Sequence, residues 1–354
     1  MRKKNIILKF IIISIVIISM ISCKPINNES SKNSAIIEQS SKLDISGKGD
    51  LWADKKLTVG FITPGAEGPW RTTSVNNILD HAKEWNTNLV HYDGQGKQEL
   101  QIEQMENLIK KDVDAIGFVP AVEDGYEEVL AKVKEAKIPV ILLDRTVNCA
   151  DESLWTSHIV SDFYKQGEMA GEWLIDHLKK HGELDKKIKI VEISGTNGAE
   201  ATIDRGQGFR EAIKEKENLK ITISRDGYFT QSGGYEVMQE ILSETTDIDV
   251  LFCHNDDMAI GAIQAIEEAG LVPGEDIIIV SIEGTNAALK AIVEGKIACS
   301  VECNPLMGDL FMEACVRLVN GETIEREIHP VDRVFDITNA QVELDAREEN
   351  GYGY

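Results

Sequence analysis

The stretch Leu57-Thr-Val-Gly-Phe-Ile-Thr63, continued by Pro64-Gly-Ala-Glu-Gly-Pro-Trp70-Arg71, decides the fold. Its first half is a short apolar, β-branched run with a polar end, the pattern of a buried strand. Its second half is a Gly/Pro turn. Beyond the turn, Val75, Ile78, Leu79, Ala82 and Trp85 recur at helical spacing, so the turn joins the carboxyl end of a strand to an amphipathic helix. In open α/β sheets ligands bind at that place. The turn carries a carboxylate (Glu67), a flat aromatic (Trp70) and a guanidinium (Arg71). Arginine is electrostatically unfavourable at a helix N-terminus, so another demand places it there. The plainer alternative is a core tryptophan beside a solvated arginine.

The alternation continues outward. Strand patterns cover Asn88–Asp93, Val113–Val119, Ile138–Asp144 and Ser157–Ser161, with helical patterns between them. The rhythm then starts afresh after a long helix from Phe163 to His181. Strands Ile188–Ile193, Lys220–Ser224, Val250–His254, Ile277–Ile282 and Ala298–Val301 alternate with helices, and a last helix, Leu306–Asn320, ends at Gly321, a C-cap signal. Short Val/Ile runs between helices indicate parallel sheets covered on both faces. So many strands in one chain predict an α/β protein with two doubly wound, Rossmann-like lobes.

The chain has 354 residues, 42% of them hydrophobic, and a net charge of −23. Arg2-Lys3-Lys4 and an Ile-rich run to Ile21 precede Met20-Ile-Ser-Cys23. This segment resembles a bacterial lipoprotein signal, with 1–22 removed and Cys23 lipidated; an uncleaved membrane anchor is the alternative. Either places the remainder outside the cytoplasmic membrane. Loss of Arg2, Lys3, Lys4 and Lys9 would take the charge from −23 to about −27, which excludes nucleic acid as a partner. Residues 23–54, rich in Ser, Asn, Lys and Glu, read as a flexible tether. The five later cysteines show no Cys-x-x-Cys spacing. Most read as small buried hydrophobes, and no metal or cofactor is expected.

Chemistry gathers at the predicted strand ends: Glu67, Trp70 and Arg71; Asp93 and Gln95; Asp144 and Arg145; Arg205 just inside a helix; Tyr228 and Phe229; Asn255, Asp256 and Asp257; Glu283; and Glu302. Sugar hydroxyls both donate and accept, so carboxylates, guanidinium groups and amides suit them, while aromatic rings suit their C–H faces. Asp144 beside Arg145 suggests a guanidinium fork held by its neighbouring carboxylate, or a plain loop salt bridge. Asn255-Asp256-Asp257 also fits a helix N-cap with first-turn acids.

These motifs resemble the type I periplasmic sugar-binding proteins of ABC importers, the ribose-binding-like group, closest to its galactofuranose-binding member. The likeness spans Leu57 to Val331 and rests on Gly65-x-Glu67-x-x-Trp70-Arg71, Asp93-Gly-Gln95, Leu143-Asp144-Arg145, Ile203-Asp-Arg205-x-x-Gly-Phe209, His254-Asn-Asp-Asp-Met258 and Ser300-Val-Glu302. The resemblance implies that Glu67, Trp70 and Arg71 line one lobe, that Asp144 and Arg145 bind sugar hydroxyls, and that Arg205 and Asn255 close from the other lobe. Glu283 stands where the family has Asp, and Cys303 where ribose binders often carry Gln, which argues against ribose. It also implies three crossings between lobes, near Ser161-Asp162, Cys303-Asn304 and Pro330-Val331. The N-terminal lobe would be 55–161 plus 304–330 and the C-terminal lobe 162–303 plus 331–345, with 346–354 a tail. The lobes would close by hinge motion around a monosaccharide, galactofuranose-like, and a docked ABC permease would read the closed form of a monomer.

Other classes fit less well. A sugar-responsive regulator needs a DNA-binding N-terminus where the signal and tether stand. A glycosidase needs two opposed carboxylates, and the arginines disfavour a raised-pKa acid between Glu67 and Glu283. A sensor coupled to a chemoreceptor or kinase is not separated from a transport component by sequence.

Overall fold

A computed structural model describes residues 56–65, 68–351 and 353–354. The signal, Cys23, the tether and Glu67 lie outside the described residues. In chain order the elements are β1 (Thr58–Thr63), α1 (Pro69–Glu84), β2 (Asn88–Asp93), α2 (Gln98–Lys110), β3 (Ala115–Phe118), α3 (Glu127–Glu135), β4 (Val140–Leu143) and β5 (Ser157–Ile159). The second series is α4 (Phe163–Lys180), β6 (Ile188–Ser194), α5 (Glu200–Ile213), β7 (Leu219–Asp226), α6 (Gln231–Glu244), β8 (Val250–Cys253), α7 (Asp256–Glu268), β9 (Ile278–Glu283), α8 (Asn286–Val293) and β10 (Cys299–Glu302). The chain finishes with α9 (Gly308–Val319), β11 (Glu327–Ile328), β12 (Val334–Asp336) and α10 (Ala340–Asn350).

The strands form two six-stranded sheets, β11-β5-β4-β3-β1-β2 and β12-β10-β9-β8-β6-β7. Each contains the doubly wound order 2-1-3-4-5, whose switch point lies beside the first strand of the lobe. All pairings are parallel except β10 with β12. The chain therefore passes between sheets after β5, after β10 and after β11. Residues on both faces of the second sheet are buried: Val191, Ile193 and Leu251 pack on one side, Ile190, Val250 and Phe252 on the other. That is why its strands read as unbroken apolar runs rather than alternations.

Three details depart from the sequence reading. The buried face of α1 is largely polar: Arg71, Thr73, Ser74 and Asn77 join Ile78 and Ala82, while Val75, Leu79 and Trp85 are half-buried. The helix packs on α9 through polar contacts, with Gly308 N donating to Asn77 Oδ1 at 2.7 Å and Trp85 Nε1 to Asp309 Oδ1 at 2.9 Å. The pairing of β11 with β5 and of β12 with β10 extends each sheet by two- and three-residue strands too short to carry a period. Within the stretch 346–354, α10 runs on to Asn350, and the Tyr354 hydroxyl is buried against Glu302 at 2.6 Å.

One amide organises the strand ends of the first sheet. Gln101, fully buried on α2, donates to Thr63 O (3.0 Å) and Val119 O (2.9 Å). Its Oε1 accepts from Ala121 N at 2.9 Å and Tyr126 Oη at 2.6 Å. It ties the ends of β1 and β3 on either side of the switch point. Replacing Gln101 by Leu removes the partners of Val119 O, Ala121 N and the Tyr126 hydroxyl, while Thr63 O keeps its bond from Gly94 N at 2.8 Å; each buried group left unmet costs about 1–3 kcal/mol. We expect Gln101→Leu to lower unfolding free energy by roughly 3 kcal/mol or more in urea titration, whereas Tyr126→Phe should cost only about 1 kcal/mol.

Candidate functional site

The carboxyl ends of the two sheets face each other. Glu200, at the start of α5, has its carboxyl raised by burial and then by Asp204, Glu327 and Glu123. Glu123 follows β3 and Glu327 lies on β11, both in the first lobe; the direct contact is the Trp70 indole N–H, beyond β1, donating to Cys303 O, after β10, at 2.8 Å, so strand-end segments of the two lobes meet.

On the first lobe, Arg71 is 5% exposed in the opening turn of α1 and ion-pairs with Asp144 Oδ2. Its guanidinium sits 5.1 Å from the Trp70 ring centroid. That pair is the demand that outweighs the unfavourable helix end. Asp144 thus holds Arg71 rather than Arg145, the neighbour suggested by sequence. Arg145 is half-buried, with its backbone N bonded to Leu143 O at 2.7 Å. Trp70 is half-buried, and its indole N–H donates to Cys303 O at 2.8 Å, at the end of β10. It therefore reaches the crossing between lobes instead of the core. Asp93 is exposed on the edge strand β2, where Oδ1 accepts from Gln95 N at 2.7 Å. This is an Asx-turn.

On the second lobe, Arg205 is 2% exposed. Its Nε donates to Gln166 Oε1 (3.0 Å), its Nη1 donates to His254 O (2.7 Å), and Nη1 lies 3.7 Å from Glu283 Oε1. Nη2 makes no hydrogen bond among the described residues. Glu283 is half-buried, and burial pushes its carboxyl up to about 7 against the pull of Arg205. Asn255 caps α7, its Oδ1 accepting from Met258 N at 3.0 Å, while Nδ2 donates to Phe229 O at 3.2 Å. One N–H of that amide is left over, so capping and ligand contact are compatible. Phe229 packs against Gly195, where a Cβ would fall 1.9 Å from the ring.

Backbone strain marks the same places. Among the described residues eight non-glycine residues have φ in the left-handed region. Asn86, Asp112 and Lys137 end helices, but Gln95, Asp144, Tyr228, Phe229 and Glu283 all sit at carboxyl ends of strands. Glu283 is the most strained, at φ 122°. It is held by its own carbonyl accepting from Cys303 N at 3.1 Å and by Asp256. Asp256, fully buried at the head of α7, accepts from Ser281 and Ser300 hydroxyls and from Thr285 N at 2.7 Å. Strain of this kind persists where surroundings over-determine it, and collects at ligand sites.

Glu302 is placed elsewhere. It is fully buried, with Arg333 donating to Oε2 from Nε (2.7 Å) and to Oε1 from Nη2 (2.6 Å), and with the Tyr354 hydroxyl on Oε1. Its side chain anchors β12 and α10 through these partners. Two other polar residues carry the site from beneath and were not singled out from sequence. One is Gln166. The other is Glu192, 1% exposed within β6. Burial raises Glu192, but His254, two hydrogen bonds donated by Arg210 (2.8 and 2.5 Å) and one by Ser224 outweigh it and leave it at about 2. The signal was available, since a lone carboxylate inside an apolar parallel strand requires a buried partner.

The periplasmic binding protein domain family matches residues 59–323. The galactofuranose-binding protein YtfQ of Escherichia coli K12 is 38% identical over 300 residues, covering 84% of this chain and 93% of that protein. A Mycobacterium smegmatis structure in complex with β-D-fucofuranose is 40% identical with a TM-score of 0.69, covering 83% of this chain and 96% of that one. The binding-protein component of the arabinose ABC transporter of Shewanella sp. ANA-3, bound to L-arabinofuranose, is 38% identical with a TM-score of 0.70, again covering 83% and 96%. The chain belongs to the periplasmic binding protein family, with the two-lobed type I fold of its sugar-binding, non-enzymatic branch.

Proposed function

We propose that this protein is an extracytoplasmic solute-binding lipoprotein, anchored through Cys23, that captures a monosaccharide in furanose form between its lobes and delivers it to an ABC permease. The observation that carries this reading is the second-lobe cluster of Arg205, Glu283 and Asn255: a buried guanidinium fixed on two sides whose Nη2 makes no hydrogen bond among the described residues, beside a carboxyl and an amide with one N–H left over among them. Donors and acceptors at fixed positions are what a ring bearing several hydroxyls requires. The furanose choice draws on relatives named for galactofuranose, fucofuranose and arabinofuranose, together with Cys303 in place of the ribose binders' Gln. Trp70, Arg71, Asp144, Arg145 and Glu67 would complete the site from the first lobe, with Phe229 offering an aromatic face. Residues 24–54 would give the lobes reach from the membrane to the permease.

Thermal unfolding of the Ala53–Tyr354 fragment against galactose, arabinose, ribose, glucose and myo-inositol tests the ligand class. A ligand that binds only the folded state must raise Tm. We expect a clear rise with galactose or arabinose and none with ribose; ribose as the only stabilising sugar would contradict the reading. Arg145→Ala should weaken binding about tenfold or more, since a charged donor in a desolvated site is lost, and unchanged calorimetric affinity would remove Arg145 from the site. Glu283 adds a pH dependence. Its carboxyl titrates at about 7 when folded against 4.5 ordinarily, so the folded state holds the proton more tightly in between, and stability falls as pH rises through that window. Asp256, raised by burial to about 6, acts in the same direction. Buried His158 and His254, whose imidazoles burial holds below their ordinary value, act the opposite way, so the carboxyl effect is read by difference: from pH 5 to pH 8, Tm of the ligand-free wild type should fall more, or rise less, than Tm of Glu283→Gln.

A further inference from the structure

A single chain of hydrogen bonds runs from the cleft to the crossings between lobes. Arg205 Nε donates to Gln166 Oε1 at 3.0 Å, and Gln166 Nε2 donates to Asp332 Oδ2 at 2.8 Å. Asp332 Oδ1 accepts from Asn304 N at 2.9 Å, and Asn304 Nδ2 donates to Val331 O at 3.0 Å. Gln166 is fully buried in the first turn of α4, directly after the first crossing. Asn304 belongs to the second crossing, and Val331 and Asp332 to the third. One amide thus touches the cleft guanidinium on one side and, through Asp332, both other crossings.

The contact is built in. α4 and α5 approach so closely that a Cβ on Gly167 would lie 2.0 Å from Arg205 O, and one on Gly208 1.9 Å from Tyr164 O. The polarity of the chain also admits few residues at 166. Arg205 Nε needs an acceptor and Asp332 a donor, and the Gln166 amide supplies both in one orientation, which neither a carboxylate nor an ammonium does. Around Asp332 stand Glu302 from β10, Arg205 from α5 and the Cys303 thiol, and burial there holds its carboxyl up to about 7.

We propose that Gln166 is a positioning residue that fixes the plane of Arg205 for the ligand and couples that guanidinium to the hinge segments, so that ligand contact and lobe closure are linked through one amide. The ligand half rests on the sugar-binding reading; the hinge half rests on the hydrogen-bond chain alone. Swapping donor and acceptor tests it. At pH 8, Gln166→Glu sets two carboxylates against each other, and Asp332→Asn sets two amides against each other with one order of donors broken. The double variant restores an unbroken order, with Arg205 donating to residue 166 and residue 332 donating to it in turn. Two readouts are taken on each protein: radius of gyration of the ligand-free form by small-angle X-ray scattering, and calorimetric affinity for L-arabinose and D-galactose. We expect each single variant to change the radius of gyration and to bind about tenfold or more weakly, and the double variant to return close to wild type in both. Losses that simply accumulate in the double variant, or single variants equal to wild type, would overturn the coupling. If scattering follows the swap while wild type binds neither sugar, the coupling stands and the sugar reading falls. If wild type binds sugar and the swap changes nothing, the sugar reading stands and the coupling falls.

Discussion

A guanidinium at 2% exposure must be compensated by what surrounds it, and much of the second lobe is arranged to do this for Arg205. The carbonyl of His254, at the end of β8, faces one nitrogen, and Glu283 stands 3.7 Å away at the end of β9. Gln166 supplies a neutral acceptor from α4, and the Phe163 ring lies 5.3 Å from the guanidinium. Among the described residues no carboxylate forms a tight fork with it, as Arg333 does with Glu302. A fully paired arginine would have little left for a ligand; this one is held in place with one edge open. A carboxyl near pH 7 beside it is the electrostatic counterpart, since burial and Arg205 pull Glu283 in opposite directions.

The same economy governs the backbone. Five residues at four strand ends take left-handed conformations that cost of order 1–3 kcal/mol each for residues with side chains. Glu283 among them is kept by the buried Asp256 clamp under β9 and β10, while Gln101 fixes the neighbouring ends of β1 and β3. Rigid strands with strained ends fix side chains before a ligand arrives, so less ordering remains to be done on binding.

The α/β alternation was legible because parallel strands buried on both faces and amphipathic helices have different periods. Strand ends could be located for the same reason, and with them Arg71, Arg205, Asn255 and Glu283. Partner choice was not legible. Asp144 pairs across the lobe with Arg71 on α1, and sequence adjacency to Arg145 carries no such information. Glu302 shares the strand-end position of Glu283 but meets Arg333 and Tyr354, residues whose approach depends on the final strand and helix. The polar buried face of α1 defeated the apolar period because α9, its packing partner, arrives from more than two hundred residues later in the chain. Glu192 and Gln166 lie inside elements where only long-range packing shows what a polar side chain is for.

The account turns on where a furanose sits relative to Arg205. A crystal structure of the protein with L-arabinose or D-galactose bound measures this directly. The account predicts one furanose ring between the lobes, with its hydroxyls within hydrogen-bond distance of Arg205 Nη2 and of the Glu283 carboxyl, and with Glu302 still paired to Arg333. A sugar bound away from Arg205, or one that draws Glu302 out of its pair, would contradict it.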